Sequence, residues 1–235
     1  MKSYNNDPAF KKKAVEAAIR HRDMDMLMAG TYGKDTVHGF KGCSVGCDAF
    51  DITGGIAGDP HQTTGDYFGF PEWLERLRDS IFESLERADR LNWHVDIKQA
   101  IPIGMNESDF DQVKKDFLVW LMEQNVKVVE GLDIERALKD QVLSAINGTI
   151  EAISTGKGLE AAENSAADAR DAFVSAKIDA GSYAINAARV APLRQVFNAS
   201  SLTAAAVSDG SAASWSASYK KQAVKLIEIF EAFNK

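Results

Sequence analysis

Residues 162–190 read AENSAADARDAFVSAKIDAGSYAINAARV, and their spacing sets the fold class. Ala162, Ala166, Ala169, Phe173, Ala176, Ala180, Tyr183, Ala187 and Val190 follow one another at alternating steps of four and three. That rhythm is a helical seam, here built mostly of alanine. Small seam residues let helix axes approach at the short end of the usual 8–10 Å. A closely packed partner helix follows. Tyr219, Ala223, Leu226, Phe230 and Phe233 repeat the rhythm with larger side chains, and large against small is how facing layers interdigitate. The sequence therefore predicts an all-α, multi-helix bundle in which these two stripes face each other.

The same period extends through the rest of the chain. Asp7-Pro8 opens a helix whose stripe is Phe10, Ala14, Ala17, His21, Met24 and Met28, with Asp as cap and Pro at the first helical position. Pro71 precedes a helix with Leu74, Leu77, Ile81 and Leu85 inward, and a shorter one spans about 93–100 before Ile101-Pro102. Ser108 with Asp111 opens a helix towards Gly131 that turns Phe110, Val113, Phe117, Trp120 and Leu121 inward. Another starts at Asp133, with Ile134, Leu138, Val142, Ala145, Thr149 and Ile153 inside. The Ala/Ser-rich stretch at 198–217 predicts a weak helix broken near Asp209-Gly210. Two stretches lack periodicity: 31–42, read as a loop, and 52–70, a long irregular loop of the kind that is usually functional. Residues 1–131 form the expected N-terminal helical unit, carrying the Cys-containing turn and this loop. Residues 132–235 form the expected Ala-rich bundle, packed on the first or separate from it.

Composition limits the functions open to the chain. Across 235 residues it carries 27 Lys and Arg against 34 Asp and Glu, a formal charge of -7. An acidic balance disfavours broad nucleic-acid binding, which depends on clustered Lys and Arg. No apolar run approaches the roughly 20 residues that span a bilayer, and the basic N-terminal stretch has no apolar core like that of a signal peptide. The expectation is a cytoplasmic protein with reduced thiols, no membrane association and, by the internal pairing of the two stripes, a monomer.

Candidate chemistry gathers at FKGCSVGCDAF, residues 40–50, which holds both cysteines. On a helix Cys43 and Cys47 lie one turn apart on one face, a spacing unsuited to a disulfide. Three readings stay open. The thiols are small apolar groups beneath a neighbouring element. Alternatively, Cys43 is a thiolate at a helix N-terminus with His61 as its base, the pair forming a candidate catalytic site. Or Cys43, Cys47 and His61 bind a metal, joined by His21 or Asp48. His21 also fits a hydrogen-bonded core histidine, while His38 and His94 carry no context. The pairs Asp23/Asp25 and Asp109/Asp111 suit a solvated face and a capping turn. No complete nucleotide-binding motif such as a P-loop is present, and the sequence leaves the cofactor unknown.

The segments KGCSVGCD (41–48), GFPEWLERLRDSIFESL (69–85), AIPIG (100–104) and QAVKLIEIFEA (222–232) resemble a family of uncharacterised proteins found in bacteriophage and bacterial genomes. The resemblance is tight over 20–130 and compositional beyond. It implies a phage or environmental origin and a small accessory protein, and transfers no catalytic residue. The function expected is a non-enzymatic interaction protein with a protein partner. The alternative is a small enzyme or metal-binding protein using Cys43, Cys47 and His61.

Overall fold

In the computed structural model, residues 2–55, 58–176, 179–191 and 195–233 are described. They form eleven α-helices and a single two-stranded hairpin, the all-α class that the periodicity predicts. Two compact units contain them: Met1–Asp111 with Tyr219–Lys235, and Gln112–Ser218. The sequence reading divides the chain at 131 instead, where a helix ends.

In the first unit α1 (Pro8–Asp23) begins as its capping residues dictate, with the Asp7 carboxylate accepting the Ala9 amide at 2.8 Å. It stops before the end of the predicted stripe. Met24 is 65% exposed, and the chain turns so that Gly42 can pair with Leu27. The stretch read as a loop at 31–42 holds an antiparallel hairpin, β1 (Lys34–Thr36) and β2 (Gly39–Lys41). Next come α2 (Ser44–Thr53), α3 (Pro60–Phe68), α4 (Glu72–Ser84) and α5 (Arg87–Ala100). Helix α3 lies inside the predicted long loop. Its start repeats the Asp-Pro signature, Asp59 accepting the His61 amide at 2.9 Å. Four aromatic rings, those of Tyr4, Phe68, Phe70 and Phe110, pack edge-on around its C-terminal end.

Helix α6 (Glu107–Gly131) begins after Asn106, whose side chain accepts the amides of Ser108 and Asp109. Its Phe110, Val113, Phe117 and Leu121 are buried as predicted. The second unit continues through α7 (Arg136–Thr155), α8 (Leu159–Ala176), α9 (Asp179–Val190) and α10 (Val196–Val207). The final helix, α11 (Ala212–Ala232), begins after the predicted break at Asp209-Gly210.

The stretch at 162–190 is divided between two helices. Helix α8 packs on α7 and α9, and α9 packs also on α10. Ala162, Ala166 and Ala169 are buried as the seam requires, and so are Ala187 and Val190. Tyr183 breaks the pattern at 44% exposed, with Ala184 and Ala188 buried beside it. The side chains of Phe173, Ala176 and Ala180, and residues 177 and 178, lie outside the described part. Tyr219 and Phe230 belong to the first unit, where Phe230 packs edge-on against Phe110 at 6.3 Å and the Tyr219 hydroxyl meets Ser80 at 3.4 Å. A repeated 4-3 rhythm identifies a buried face without naming the helix that covers it.

Candidate functional site

The glycines of FKGCSVGCDAF are present because another backbone passes close by. A Cβ on Gly46 would stand 1.6 Å from the Tyr32 carbonyl oxygen, and one on Gly42 would stand 2.4 Å from it. The covering element is therefore the bend at Tyr32, just before the hairpin. Cys43 caps α2, and Cys47 follows one turn later. Both thiols are free and buried. Cys47 faces the Gly42 and Met26 carbonyl oxygens at 3.4 and 3.6 Å. Burial and the Asp48 charge push its thiol up to about 12, which fits the small-apolar-group reading for this cysteine.

The next residue, Asp48, is the hub of a buried ionic network. Its Oδ1 accepts Lys98 Nζ at 2.5 Å, and its Oδ2 accepts both Arg78 terminal nitrogens at 3.0 Å. Arg78 also donates to Glu75 Oε2 at 2.6 Å, which accepts the Thr64 hydroxyl at 2.7 Å. None of Asp48, Glu75, Arg78 and Lys98 is more than 2% exposed. Helices α2, α3, α4 and α5 each contribute, so the network exists only when all four are in place. Burial pushes Asp48 up, but Lys98, Arg78 and two histidines outweigh it and hold the carboxyl well below its ordinary range. Burial likewise lowers Lys98. Arg78 is raised, because Glu75 and Asp48 more than offset its burial.

A hydrogen-bonded chain of side chains runs beside this hub. The Ser44 hydroxyl meets His94 Nδ1 at 2.9 Å, His94 Nε2 meets His21 Nδ1 at 3.1 Å, and His21 Nε2 meets Asp51 Oδ2 at 2.9 Å. Arg20 donates to the same Asp51 oxygen at 2.5 Å. Both imidazoles are fully buried, and burial pushes His94 well below its ordinary value. An imidazole has two ring nitrogens, each able to take one hydrogen bond, so these contacts form a continuous chain from buried Ser44 to Asp51 at the surface. A cleft of about 340 Å³ between α1, α2 and α3 opens onto this chain. Asp48 forms its floor, Asp51 and Arg20 one edge, Lys13 the rim, and Phe10 and Tyr67, their rings tilted at 49° with centroids 5.0 Å apart, an aromatic wall.

Cys43 belongs to a second cluster. Among the described residues two groups of ligand-type atoms lie within 4.8 Å of one another: His21, Asp48 and His94, and Cys43, Asp79 and Glu83. His61 joins the second group through Asp79, its Nε2 lying 3.2 Å from Asp79 Oδ2, while its Nδ1 reaches Asp59 at 3.1 Å. Burial lowers His61, but Asp79 and then Asp59 raise it further, leaving it above its ordinary value. Burial and the Asp79 carboxylate push the Cys43 thiol far up.

These positions separate the residues that the sequence groups together. Cys43 and His61 share a partner, Asp79, but Asp79 stands between thiol and imidazole, so His61 is not placed as the base of a thiolate nucleophile. Among the described residues Cys43, Cys47 and His61 form no common ligand group. His21 and Asp48 do converge, with His94, yet the two cations on Asp48 disfavour a further cation there. Sequence reasoning misses Arg78, Lys98, Glu75, Asp79 and His94. The first two carry a usable signal, since Arg78 falls four residues after Leu74 and three before Ile81, and Lys98 three before Ile101, in phase with the buried faces. No protein-family model, curated protein or solved structure matches the chain.

Proposed function

We propose that this protein binds a small planar molecule bearing a negative charge in the cleft between α1, α2 and α3, and that the His21–His94 pair moves a proton there. The observation behind this reading is a carboxylate held by a wholly buried ionic network yet placed at the floor of an open cleft. Burying charges is expensive even when they are paired, and groups so arranged in a cleft are functional-site candidates. The cleft offers an aromatic wall for the planar part, Lys13 and Arg20 for the negative group, and Asp48 for a hydrogen-bond donor. This reading develops the enzyme-or-binding alternative, relocated to His21, Asp48, Asp51 and His94. It stands ahead of the protein-interaction reading because the cleft supplies it with a site.

Ligand-observed NMR with 4-hydroxybenzoate tests it, since that probe carries a planar ring, a carboxylate and a hydroxyl donor. Saturable binding is expected, weakened about tenfold in Lys13→Ala/Arg20→Ala, equivalent to roughly 1.4 kcal/mol. Absence of binding, or binding unchanged in the double variant, refutes the reading.

A further inference from the structure

The second cluster supports a separate function that does not rest on the cleft. We infer that Cys43, Asp79 and Glu83 form a binding site for a divalent metal ion of the zinc class, with His61 positioning Asp79. Two of the ligands come from one face of α4, where Asp79 and Glu83 stand four residues apart. The third is the residue that caps α2. Their ligand atoms already lie within 4.8 Å of one another, so an ion between them needs only small side-chain adjustments to reach bonds of about 2.0–2.3 Å.

An independent observation points to an occupant. Asp79 is 7% exposed, and its Oδ1 is buried with no partner in hydrogen-bond geometry, although the Cys43 thiol lies close enough to interact with the carboxylate. A buried orphan carboxylate oxygen is costly and rare. Its other oxygen is taken by His61, an arrangement that in metal sites fixes the orientation of a ligating carboxylate. Glu83 has one oxygen engaged by the Gly30 amide at 2.7 Å. Of the cationic groups close by, Arg90 is committed elsewhere and His61 engages only the other Asp79 oxygen. Arg90 donates to the carbonyls of Phe82, Glu83 and Leu85, and His61 lies beyond Asp79. The cluster is thus rich in carboxylates and has only the His61 imidazole facing it, on one Asp79 oxygen, where the Asp48 hub has a lysine and an arginine.

A thiolate among the ligands selects zinc-class ions over magnesium or calcium, which prefer all-oxygen shells. Binding forms the sulfur–metal bond as the thiol gives its proton to solvent, so affinity rises with pH. Three protein ligands leave a coordination position open, as in catalytic rather than structural sites.

Titration of the chelator-treated full chain with Co2+, followed by Zn2+ competition, tests the assignment. One cobalt per chain is expected, with a thiolate-to-metal charge-transfer band that zinc abolishes and magnesium does not. Cys43→Ser should remove the band and Cys47→Ser should preserve it. Glu83→Gln, at a half-buried position that tolerates the change, should weaken binding at least tenfold. His61→Gln should weaken it about 10- to 100-fold while keeping the band. No cobalt binding, a band that survives Cys43→Ser, or affinity unchanged in Glu83→Gln overturns the proposal. Should Cys43→Ser fail to fold, the Glu83→Gln result decides.

Discussion

The two units fill their interiors in opposite ways. Around α8 and α9 the core is alanine, and the buried polar groups beside it include neutral side chains: Thr149 donates to the Ala145 carbonyl one turn back, and Asn125 to the Leu121 carbonyl and, across 78 residues, to the Thr203 hydroxyl. Around α2, α4 and α5 the core holds ionised side chains whose partners are 30 to 50 residues away in sequence. An alanine core depends on shape alone. An ionic core depends on every member being present, because the removal of one strands the others without water. The contrast can be broken or sharpened by experiment.

The largest effect belongs to the ionic core. Asp48→Ala leaves Lys98 and Arg78 buried without their shared carboxylate, and a loss of about 3–5 kcal/mol is expected in urea denaturation. A loss below about 1 kcal/mol would show that the network is incidental. In the alanine core, Ala166→Leu should cost about 1–3 kcal/mol by overpacking, since Ala166 is fully buried. If that substitution proved costlier than Asp48→Ala, the ranking of the two cores would be reversed.

The smallest effect is in pH. His94 is depressed in the folded chain, so the unfolded chain binds a proton that the folded one refuses. Stability is then lost as pH falls below about 6.5, at no more than about 1.4 kcal/mol per pH unit. His61 is raised, and its contribution is present below about pH 6.5 and lost as pH rises through its folded value. Stability should peak near pH 6.5, with His94→Gln flattening the acid limb and His61→Gln the alkaline one. All four histidines precede residue 112, so both limbs report the first unit. A profile indifferent to both substitutions would remove the histidines from the comparison.

Helices were legible wherever one face is apolar and the other wet. The stripe Leu74, Leu77, Ile81 and Leu85 is buried as the spacing requires. Helix α3 escaped because PHQTTGDYF has too few apolar residues to show a period, although Asp59-Pro60 marks its start as clearly as Asp7-Pro8 marks that of α1. The hairpin escaped because three-residue strands cannot display alternation. At the site, Cys43, His61, His21 and Asp48 were legible as residue types, but their grouping was not, since sequence distance says nothing about which helix faces which. Arg78 and Lys98 were missed for a different reason. A charged residue is assigned to the solvent face by default, and only its phase against the neighbouring apolar stripe shows that it points inward.

The order in which the chain is made gives the division into units a further meaning. The first unit takes its last helical segment from Tyr219–Lys235, while Gln112–Ser218 is one uninterrupted run. At synthesis rates of roughly 5–20 residues per second, the ribosome spends about 5 to 20 seconds on that run. Throughout this interval the ionic groups of α2, α4 and α5 have been translated, yet the segment bearing Tyr219 and Phe230, which meets Ser80 and Phe110, has not. The alanine helices can assemble as soon as they emerge. The ionic groups of α2 to α5 can meet earlier, but Ser80 and Phe110 stay without their partners Tyr219 and Phe230 until that segment is made.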